Sequence, residues 1–304
     1  MLKRKINVKL KLSIVGYGNL GKSLEKEIAK QSDVELVAIY SRRTLDHTKF
    51  RPLNRIAQDN DCDVALLALG SYGDILRYAD SFAHLDTVDS FDTHAKIDEY
   101  KAHLNAIKPS RISIVSTGWD PGLLSLIRGV FSIGADICAT LWGNGVSQGH
   151  SNAIRTLDGV VDAIQFTVPK ANALELIYSG ITDGKLLHNR ICFVACSKAD
   201  EERLRSEIVS MPHYFEGYDT EVAFCTAQKV AELRLQTQHR GQVVTVGEGF
   251  STHSEVSIDC NPDYTAKIML HYAKAVPQLK ADGYHGALDV YDIPLRYLAN
   301  QELI

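Results

Sequence analysis

The sequence lacks several features that would mark a membrane, nucleic-acid-binding or metal-binding protein. No apolar run approaches the roughly 20 residues that a membrane-spanning helix needs. The net charge is only −4, and internal repeats and low-complexity segments are absent. We therefore expect a globular, cytoplasmic protein with neither nucleic acid nor membrane as a partner.

Cysteine is present but not in a pattern that binds metal. None of the six cysteines forms a C-x-x-C pair, and Cys192 and Cys196 lie four residues apart in an apolar segment typical of a strand. A disulfide framework or a zinc site would need closer spacing or neighbouring histidines. We predict free, buried thiols and no metal. With 304 residues, 45% of them hydrophobic, the chain can build two domains.

The most informative stretch is residues 10–23, LKLSIVGYGNLGKS. It predicts a short buried strand, a glycine turn over residues 16–21 and a helix over residues 22–30. Gly16 can make the turn, Gly18 lets a pyrophosphate approach the backbone, and Gly21 lets the helix pack closely on the strand. The helix N-terminus would then face the anion. This order of elements is typical of a dinucleotide-binding domain.

Residues 16–23 also match G-x-x-x-x-G-K-[ST], the phosphate-binding loop of nucleoside triphosphatases. Such an enzyme needs an acid at the end of a later apolar strand to hold Mg²⁺. The next long apolar strand, predicted at residues 63–69, begins with Asp63 and is followed by Gly70. The dinucleotide interpretation is therefore favoured.

The end of the second predicted strand, residues 35–40, indicates which dinucleotide binds. Ser41, Arg42 and Arg43 follow it directly, whereas Glu35 is at the opposite end and Asp46 lies further on. An acid at this position binds a free ribose 2′-hydroxyl, and arginine with small hydroxyls binds a 2′-phosphate. NADP(H) is the predicted cofactor.

Strands and helices alternate up to residue 120. Further strands are predicted at residues 63–69, 87–89 and 111–116, with helices ending near residue 83 and spanning residues 95–106. Alternation of this kind predicts an α/β fold with a doubly wound, Rossmann-type parallel sheet, whose ligands bind at the carboxyl ends of the strands.

After residue 121 the pattern changes to segments of alternating or β-branched character with few helices, at residues 137–142, 162–168, 190–196, 221–226, 242–246 and 253–259. We predict a dinucleotide-binding domain over residues 1–120, completed by residues 264–304, which begin with a helix over residues 264–279. Residues 121–263 would form an α+β substrate-binding and dimerisation domain of mainly antiparallel strands.

Several side chains could carry chemistry. Asp89, Asp92 and Asp120 follow sheet strands, where two acids could orient an ammonium group and deprotonate a water, or could simply cap helices. Arg190 flanks a strand and His239 lies in a predicted polar turn, and either could bind a carboxylate. Trp119 and Trp142 could line a pocket or pack in the core.

Five segments together resemble the meso-diaminopimelate D-dehydrogenase family: IVGYGNLG (residues 14–21), YSRR (40–43), STGWDPG (116–122), WGNGVSQGHS (142–151) and NPDYTA (261–266). The STGWDPG and WGNGVSQGHS segments are far more specific than a glycine loop. The resemblance implies NADP⁺-dependent oxidative deamination of the D-centre of meso-2,6-diaminopimelate. The products would be L-2-amino-6-oxopimelate, which cyclises to tetrahydrodipicolinate, ammonia and NADPH. It also implies a homodimer and a role in lysine or cell-wall precursor metabolism.

The resemblance, with the glycine loop, also implies site residues. Those expected around the cofactor are Gly16, Tyr17, Gly18, Asn19, Leu20, Gly21, Ser41, Arg42, Arg43, Leu69, Gly70, Ser71, Tyr72, Ser90, Phe91, Asp92, Thr117, Gly118, Trp119, Asp120 and Pro121. Those expected to hold the substrate are Asp92, Asp120, Trp142, Gln148, Thr167, Arg190, His239 and Asn261, with Asp92 and Asp120 catalytic.

Two other kinds of function stay open on the sequence. One is another NADP-dependent oxidoreductase acting on lysine-family compounds or D-amino acids. The other, of a different class, is a non-catalytic NADP-binding sensor or a nucleoside triphosphatase that uses the loop of residues 16–23.

Overall fold

A computed structural model describes residues 9–70, 73–235 and 238–299. The strands are β1 (Leu10–Val15), β2 (Val34–Ser41), β3 (Phe50–Pro52), β4 (Val64–Leu67), β5 (Asp86–Asp89), β6 (Ile112–Ile114), β7 (Ile137–Trp142), β8 (Gly145–Val146), β9 (Val160–Pro169), β10 (His188–Cys196), β11 (Asp219–Phe224), β12 (His239–Gly247), β13 (Phe250–Ile258) and β14 (Gly286–Leu288). The α-helices are α1 (Asn19–Ala29), α2 (Asp74–Arg77), α3 (Ile97–Ile107), α4 (Leu123–Phe131), α5 (Gln148–Arg155), α6 (Ala173–Tyr178), α7 (Gly184–Leu187), α8 (Glu201–Val209), α9 (Ala227–Leu233) and α10 (Asn261–Ala281).

The chain forms two compact units. The first contains the described residues up to Leu126 together with those from Pro262 onward, and the second is Ile127–Asn261. We refer to them as the first unit and the second unit. None of the described helices is long and apolar enough to cross a membrane.

The first unit is built on a seven-stranded sheet in the order β14-β6-β5-β4-β1-β2-β3, and every neighbouring pair is parallel. Alternate side chains of each strand enter separate cores on its two faces, as the two-residue period of a strand requires. In β1, Leu12 and Ile14 face the core that contains α1 and α10, whereas Val15 faces the core that contains α3. The predicted doubly wound α/β fold is confirmed.

The second unit has two smaller sheets. One has the order β11-β10-β9-β8 and the other the order β13-β12-β7. Strand pairing is antiparallel except between β10 and β11, which run parallel. The prediction of mainly antiparallel strands is thus confirmed. The exception arises because α8 lies between β10 and β11 in the chain, and a helical crossover of this kind lets the second strand run in the same direction as the first.

Several predicted boundaries were wrong. Helix α1 begins at Asn19 rather than at residue 22, and α10 begins at Asn261 rather than at residue 264. His239 opens strand β12 instead of lying in a turn. The second unit holds helices α5 to α9, more than expected, because these helices are short and give weak periodic signals.

The thiol prediction was partly wrong. All six cysteines are free, but only Cys192 is buried, and the other five are partly exposed.

Candidate active site

The glycine loop has the geometry that a pyrophosphate needs. Gly16 has a φ of +98°, and a Cβ there would lie 2.4 Å from the carbonyl oxygen of Ala68. A Cβ on Gly21 would lie 2.2 Å from the carbonyl oxygen of Gly16, so only glycine allows α1 to pack this closely on the turn. At Gly18, by contrast, none of the described atoms lies within 4 Å of a Cβ position. A ligand can therefore approach the loop backbone at Gly18, beside the N-terminus of α1.

Tyr17 lies in this loop as a neutral group. Its hydroxyl donates a hydrogen bond to the Glu25 carboxylate in α1. That bond, helped by burial, raises the pKa of Tyr17 to about 12. Tyr17 therefore adds no negative charge where an anion would bind.

A cleft of about 320 Å³ lies at the carboxyl ends of β1, β2 and β4. It is lined by Gly16, Tyr17, Gly18, Tyr40, Ser41, Arg42, Arg43, Leu53, Ala68, Leu69, Gly70 and Asp74. The Arg42 guanidinium holds the Asp74 carboxylate through two hydrogen bonds of 3.1 and 2.8 Å. Arg43 donates to the carbonyl oxygen of Tyr17 at 3.2 Å, and its amide donates to the Ser41 hydroxyl.

Asp74 is a residue that sequence reasoning missed. The absence of an acid was judged from the residues that follow β2, whereas Asp74 reaches Arg42 from α2, 32 positions away. Both partners are partly exposed, so solvent screens the pair.

The geometry disfavours the triphosphatase interpretation of the same loop. There, the final Ser or Thr hydroxyl must face the bound Mg²⁺. Ser23 is buried instead, and its hydroxyl donates to the Asp263 carboxylate of α10 at 2.6 Å.

Two loops follow β5 and β6 at the same edge of the sheet and carry the predicted acids. Asp92 is exposed and Asp120 is half-buried, with the Ser125 hydroxyl 3.5 Å from its Oδ1 atom. The Phe91 side chain faces the core and stacks on Tyr100 at 4.7 Å, so only its backbone can face a ligand.

Other residues of these loops are placed by packing. Trp119 is 8% exposed and meets the edge of the Tyr264 ring, with the ring centroids 5.9 Å apart. Of the two roles weighed for Trp119, core packing is the one observed. A Cβ on Gly118 would lie 3.4 Å from Cβ of Ser90, so the two loops are in contact. Thr117 is fully buried, and Pro121 is half-buried.

In the second unit, Arg190 and Thr167 are cross-strand neighbours in β10 and β9. Arg190 is 8% exposed, donates from Nη1 to the Thr167 hydroxyl oxygen, and lies over the Tyr218 ring at 4.2 Å from its centroid. Burial lowers the pKa of Arg190, yet its Nε atom has no hydrogen-bond partner among the described residues. Tyr218, which sequence reasoning missed, supports the guanidinium by a cation–π contact.

Trp142 ends β7 and is held by a neutral histidine. Its backbone amide donates to Nε2 of His188 at 2.9 Å, and Nδ1 of His188 bonds the carbonyl oxygen of Gly184 at 3.0 Å. The two rings lie 5.4 Å apart. Burial, with the positive charge of Arg190, lowers the pKa of His188 to about 4. His188 was also missed, because nothing in its sequence neighbours marks it.

The structure brings further predicted substrate residues to the same region of the second unit. A Cβ on Gly143, next to Trp142, would lie 2.1 Å from the carbonyl oxygen of Thr167. His239 bonds the carbonyl oxygen of Val146 at 3.0 Å, and its ring lies 3.3 Å from the Cβ position of Gly145, which pairs with Thr167. Trp142, Thr167, Arg190 and His239 therefore cluster.

Gln148 and Asn261 each lie a few positions along the chain from a residue that bonds or pairs with the strands of this cluster. Gln148 opens α5, directly after Ser147, whose amide bonds the carbonyl oxygen of Gln165 in β9. Asn261 opens α10, three residues after the Ile258 that pairs with His239.

Two predicted cofactor residues, Ser71 and Tyr72, lie outside the described residues. Within the described ranges, no group of three or more His, Cys, Asp or Glu side chains is arranged to hold a metal ion.

Known proteins match this chain over nearly its whole length. The family described as "Diaminopimelic acid dehydrogenase C-terminal domain" matches residues 118–261. The chain is 39% identical to a meso-diaminopimelate D-dehydrogenase of Corynebacterium glutamicum, with 97% of each chain covered. It is also 39% identical to one of Acetivibrio thermocellus, over 96% of this chain and 94% of the relative.

Solved structures agree with the sequence matches. The structure of C. glutamicum DAP dehydrogenase in complex with DAP has a TM-score of 0.88 and 38% identity, covering 97% of each chain. An engineered D-amino acid dehydrogenase bound to NADP⁺ has a TM-score of 0.85 and 36% identity, covering 97% of this chain and 98% of that one. Sequence, fold and site geometry together lead to one conclusion: the chain is an oxidoreductase that belongs to the meso-diaminopimelate D-dehydrogenase family.

Proposed function

We propose that the protein catalyses the NADP⁺-dependent oxidative deamination of meso-2,6-diaminopimelate at its D-centre, giving L-2-amino-6-oxopimelate, ammonia and NADPH. The observation that best supports this substrate is the environment of the Arg190 guanidinium. It is buried, it stacks on Tyr218, and none of the described acidic side chains pairs with it. A buried cation without an anionic partner costs several kcal/mol, so we infer that the partner is a substrate carboxylate.

The residues of the first unit fit the cofactor. The backbone around Gly18 would receive the pyrophosphate, and Arg42 and Arg43 would bind the 2′-phosphate in the cleft that they line. When bound, NADP⁺ supplies a hydride acceptor for the carbon that is oxidised. An engineered D-amino acid dehydrogenase of similar structure was solved bound to NADP⁺, which supports this choice.

Thr167 and His239 would bind the far end of the substrate together with Arg190. The Thr167 hydroxyl oxygen accepts from both Nη1 of Arg190 and Nε2 of Gln165, which occupies its two lone pairs. Its single hydrogen therefore points elsewhere as a donor, as a carboxylate requires. An anchor at the L-centre orients the substrate, so that only the D-centre reaches the site of reaction.

At the reacting end, Asp92 and Asp120 would bind the ammonium group, with Gln148, Trp142 and Asn261 as further contacts. One carboxylate takes a proton from the ammonium group as the C–H bond gives up its hydride, which leaves a protonated imine, the iminium ion. A carboxylate then takes a proton from the attacking water, and the resulting carbinolamine releases ammonia. The net reaction uses one water and releases one proton beyond the ammonium ion.

We further propose that the enzyme is a homodimer, that it is cytoplasmic, and that it works in lysine or cell-wall precursor metabolism. These proposals rest on the family resemblance. Light scattering coupled to gel filtration measures the first, and a mass of one chain, 33.6 kDa, would contradict it.

The test is a substrate panel assayed for nicotinamide reduction. Meso-, LL- and DD-diaminopimelate and D-alanine are each incubated with NADP⁺ and with NAD⁺. We expect turnover of the meso isomer with NADP⁺, little with the LL isomer, which has no D-centre, and weaker turnover with D-alanine. Comparable rates on D-alanine and the meso isomer would instead favour a D-amino acid dehydrogenase of broad range. Ammonia-dependent oxidation of NADPH with the oxo-acid tests the reverse reaction.

A further inference from the structure

One buried acid of the first unit is not accounted for by the proposed reaction. Asp89 ends β5, and its side chain is fully buried. Its Oδ1 atom accepts hydrogen bonds from the amides of Phe91 at 2.9 Å and Ser116 at 3.0 Å, and Oδ2 accepts from the Tyr100 hydroxyl at 3.0 Å. All three donors are neutral, and no ion pair joins Asp89 to a described cation.

The two amides belong to different loops. Phe91 lies in the loop that follows β5 and carries Asp92, and Ser116 lies in the loop that follows β6 and carries Asp120. The ladder between these strands ends at Val88 and Ile114. Beyond these residues, hydrogen bonds to the Asp89 side chain join the two segments in place of strand pairing.

The backbone of Asp89 reinforces the link. Its carbonyl oxygen accepts from the amide of Thr117 at 2.9 Å and from the Thr117 hydroxyl at 2.7 Å. Ser116 has a φ of +59°, a conformation that costs a residue with a side chain about 1 kcal/mol or more. The bond from its amide to Asp89 helps to hold that conformation.

A simple turn-capping role explains only part of this arrangement. The bond to Phe91, two residues on, is an ordinary local turn, but Ser116 lies 27 positions away. Burial raises the pKa of Asp89 to about 6, so the folded protein carries this carboxylate at some cost in stability. What the link between the loops requires is one side-chain oxygen that accepts from both amides, and Oδ1 of Asp89 supplies it.

We propose that Asp89 is a positioning residue for catalysis, whose carboxylate holds the loops of Asp92 and Asp120 at a fixed spacing from each other. The proposal rests on the proposed function, because it needs those two acids to act on the substrate. Asp89 itself touches no substrate. Its effect reaches the reaction through the two loop backbones, where a shift of about 1 Å can cost roughly 100-fold in rate.

Three substitutions of Asp89 distinguish the role of its local bond to the Phe91 amide from that of its bond to the Ser116 amide, which joins the loops. Asp89→Asn keeps an oxygen for both amides and can donate to the Tyr100 hydroxyl. Asp89→Ser can bond Phe91, but its side chain is too short to reach Ser116. Asp89→Ala makes neither bond. The control is Tyr100→Phe, which removes a hydrogen bond of Asp89 from the core side and leaves both loop amides bonded.

We expect kcat for meso-diaminopimelate to fall by about 10- to 100-fold in Asp89→Ser and Asp89→Ala. In Asp89→Asn and Tyr100→Phe, kcat should stay within about threefold of the parent, since the loop bonds persist. KM should change less than kcat, because the Arg190 anchor is intact. The Kd for NADP⁺, measured by titration, should rise less than kcat falls, because the glycine loop and Arg42, which are not bonded to Asp89, keep their contacts with the cofactor.

The unfolding free energy of each variant is measured alongside its kinetics. If Asp89→Ser keeps the kcat of the parent, the link between the loops does not position the acids, and the proposal is wrong. A loss of kcat in Tyr100→Phe equal to that in Asp89→Ser would also contradict it, since both would then reflect general destabilisation. If Asp89→Ala does not fold, Asp89→Ser and Asp89→Asn still decide the outcome. A parent enzyme inactive on meso-diaminopimelate would overturn the proposed function, a result distinct from an active parent with an equally active Asp89→Ser.

Discussion

Asp89 in the first unit and Arg190 in the second unit are both buried charged side chains, but their surroundings differ. Asp89 accepts three hydrogen bonds from its own chain, and each of its oxygens has a donor. Arg190 has an aromatic ring against one face and a hydroxyl at one nitrogen, while its Nε atom has no described partner. The fold supplies hydrogen-bond partners for both oxygens of Asp89, whereas it leaves one nitrogen of Arg190 without a described partner.

The difference teaches how to tell a structural buried charge from a binding one. A buried polar group without partners costs about 1 to 3 kcal/mol, and more if it is charged, so a fold keeps one only where something else binds there. By this criterion, we infer that Asp89 shapes the backbone of the site and that Arg190 binds the substrate. Substitutions around Asp89 should therefore lower mainly kcat, whereas substitution of Arg190 should lower kcat/KM for a substrate with a second carboxylate.

The largest effect is expected at the acids on the loops that Asp89 joins. Asp92→Asn and Asp120→Asn should each lower kcat by about 100-fold or more, the usual contribution of a general acid or base. NADP⁺ binding should be largely unchanged. The matched control is Asp98→Asn, an exposed acid in the first turn of α3. If Asp120→Asn is fully active, Asp120 has no catalytic role.

The next largest effect is expected at Arg190, the buried cation that we propose binds the substrate carboxylate. Arg190→Ala should lower kcat/KM for meso-diaminopimelate by about 10- to 100-fold, because charge-assisted hydrogen bonds to the far carboxylate are lost. D-alanine has no second carboxylate, so its kcat/KM should fall little. Arg203→Ala, at an exposed ion pair of α8, serves as the control. Equal proportional losses for both substrates would mean that Arg190 supports the fold or the reacting end.

A third prediction uses His188, whose pKa of about 4 lies below the value of about 6.5 in an unfolded chain. Below pH 6.5 the unfolded state binds a proton that the folded state does not bind until about pH 4. The protein therefore loses stability as pH falls through this range, by about 2 kcal/mol between pH 7 and pH 5. The measurement is the free energy of unfolding by urea at both pH values.

The control for this loss is His188→Asn, which has no titrating ring. Its unfolding free energy should fall by about 2 kcal/mol less than that of the parent over the same pH range. Equal pH slopes in parent and variant would show that His188 titrates normally. Because the charge of Arg190 helps to lower the pKa of His188, Arg190→Ala should also reduce the slope.

The smallest effect is expected at the exposed arginines of the cofactor cleft. Arg42→Ala with Arg43→Ala should weaken NADP⁺ binding by about 1.5 kcal/mol, roughly tenfold, since solvent screens both side chains. NAD⁺, which has no 2′-phosphate, should bind as before. Arg55→Ala, another exposed arginine of the first unit, is the control. Equal losses for the two dinucleotides would place the 2′-phosphate elsewhere.

The sequence predicted best where function depends on residues close together in the chain. Gly16, Gly18 and Gly21 lie within six positions, and each has the geometry that the motif requires. The partners of Arg42 and Arg190 could not be predicted in this way. Asp74 and Tyr218 reach them from other elements, and pairing between distant elements leaves no local pattern.

Short elements were missed for a related reason. Strands β3 and β14 have three residues each, too few for a two-residue period to show. The early start of α1 was missed because Asn19 and Gly21 are poor helix formers, and close packing of Gly21 on the turn overrides their propensity. The site residues inferred from family resemblance stay predictions until the variants above are made.

Strand β14 also has a consequence for biosynthesis. It pairs with β6 through residues 286–288, but it follows the whole second unit in the chain. While the protein is being made, β6 is an unpaired sheet edge, and the face that α10 covers with Met269 and Leu270 is exposed. Unpaired edges and exposed apolar faces promote aggregation. The nascent chain therefore depends on residues 261–288 emerging from the ribosome, and a fragment ending at Leu126 should aggregate although it holds the entire glycine loop.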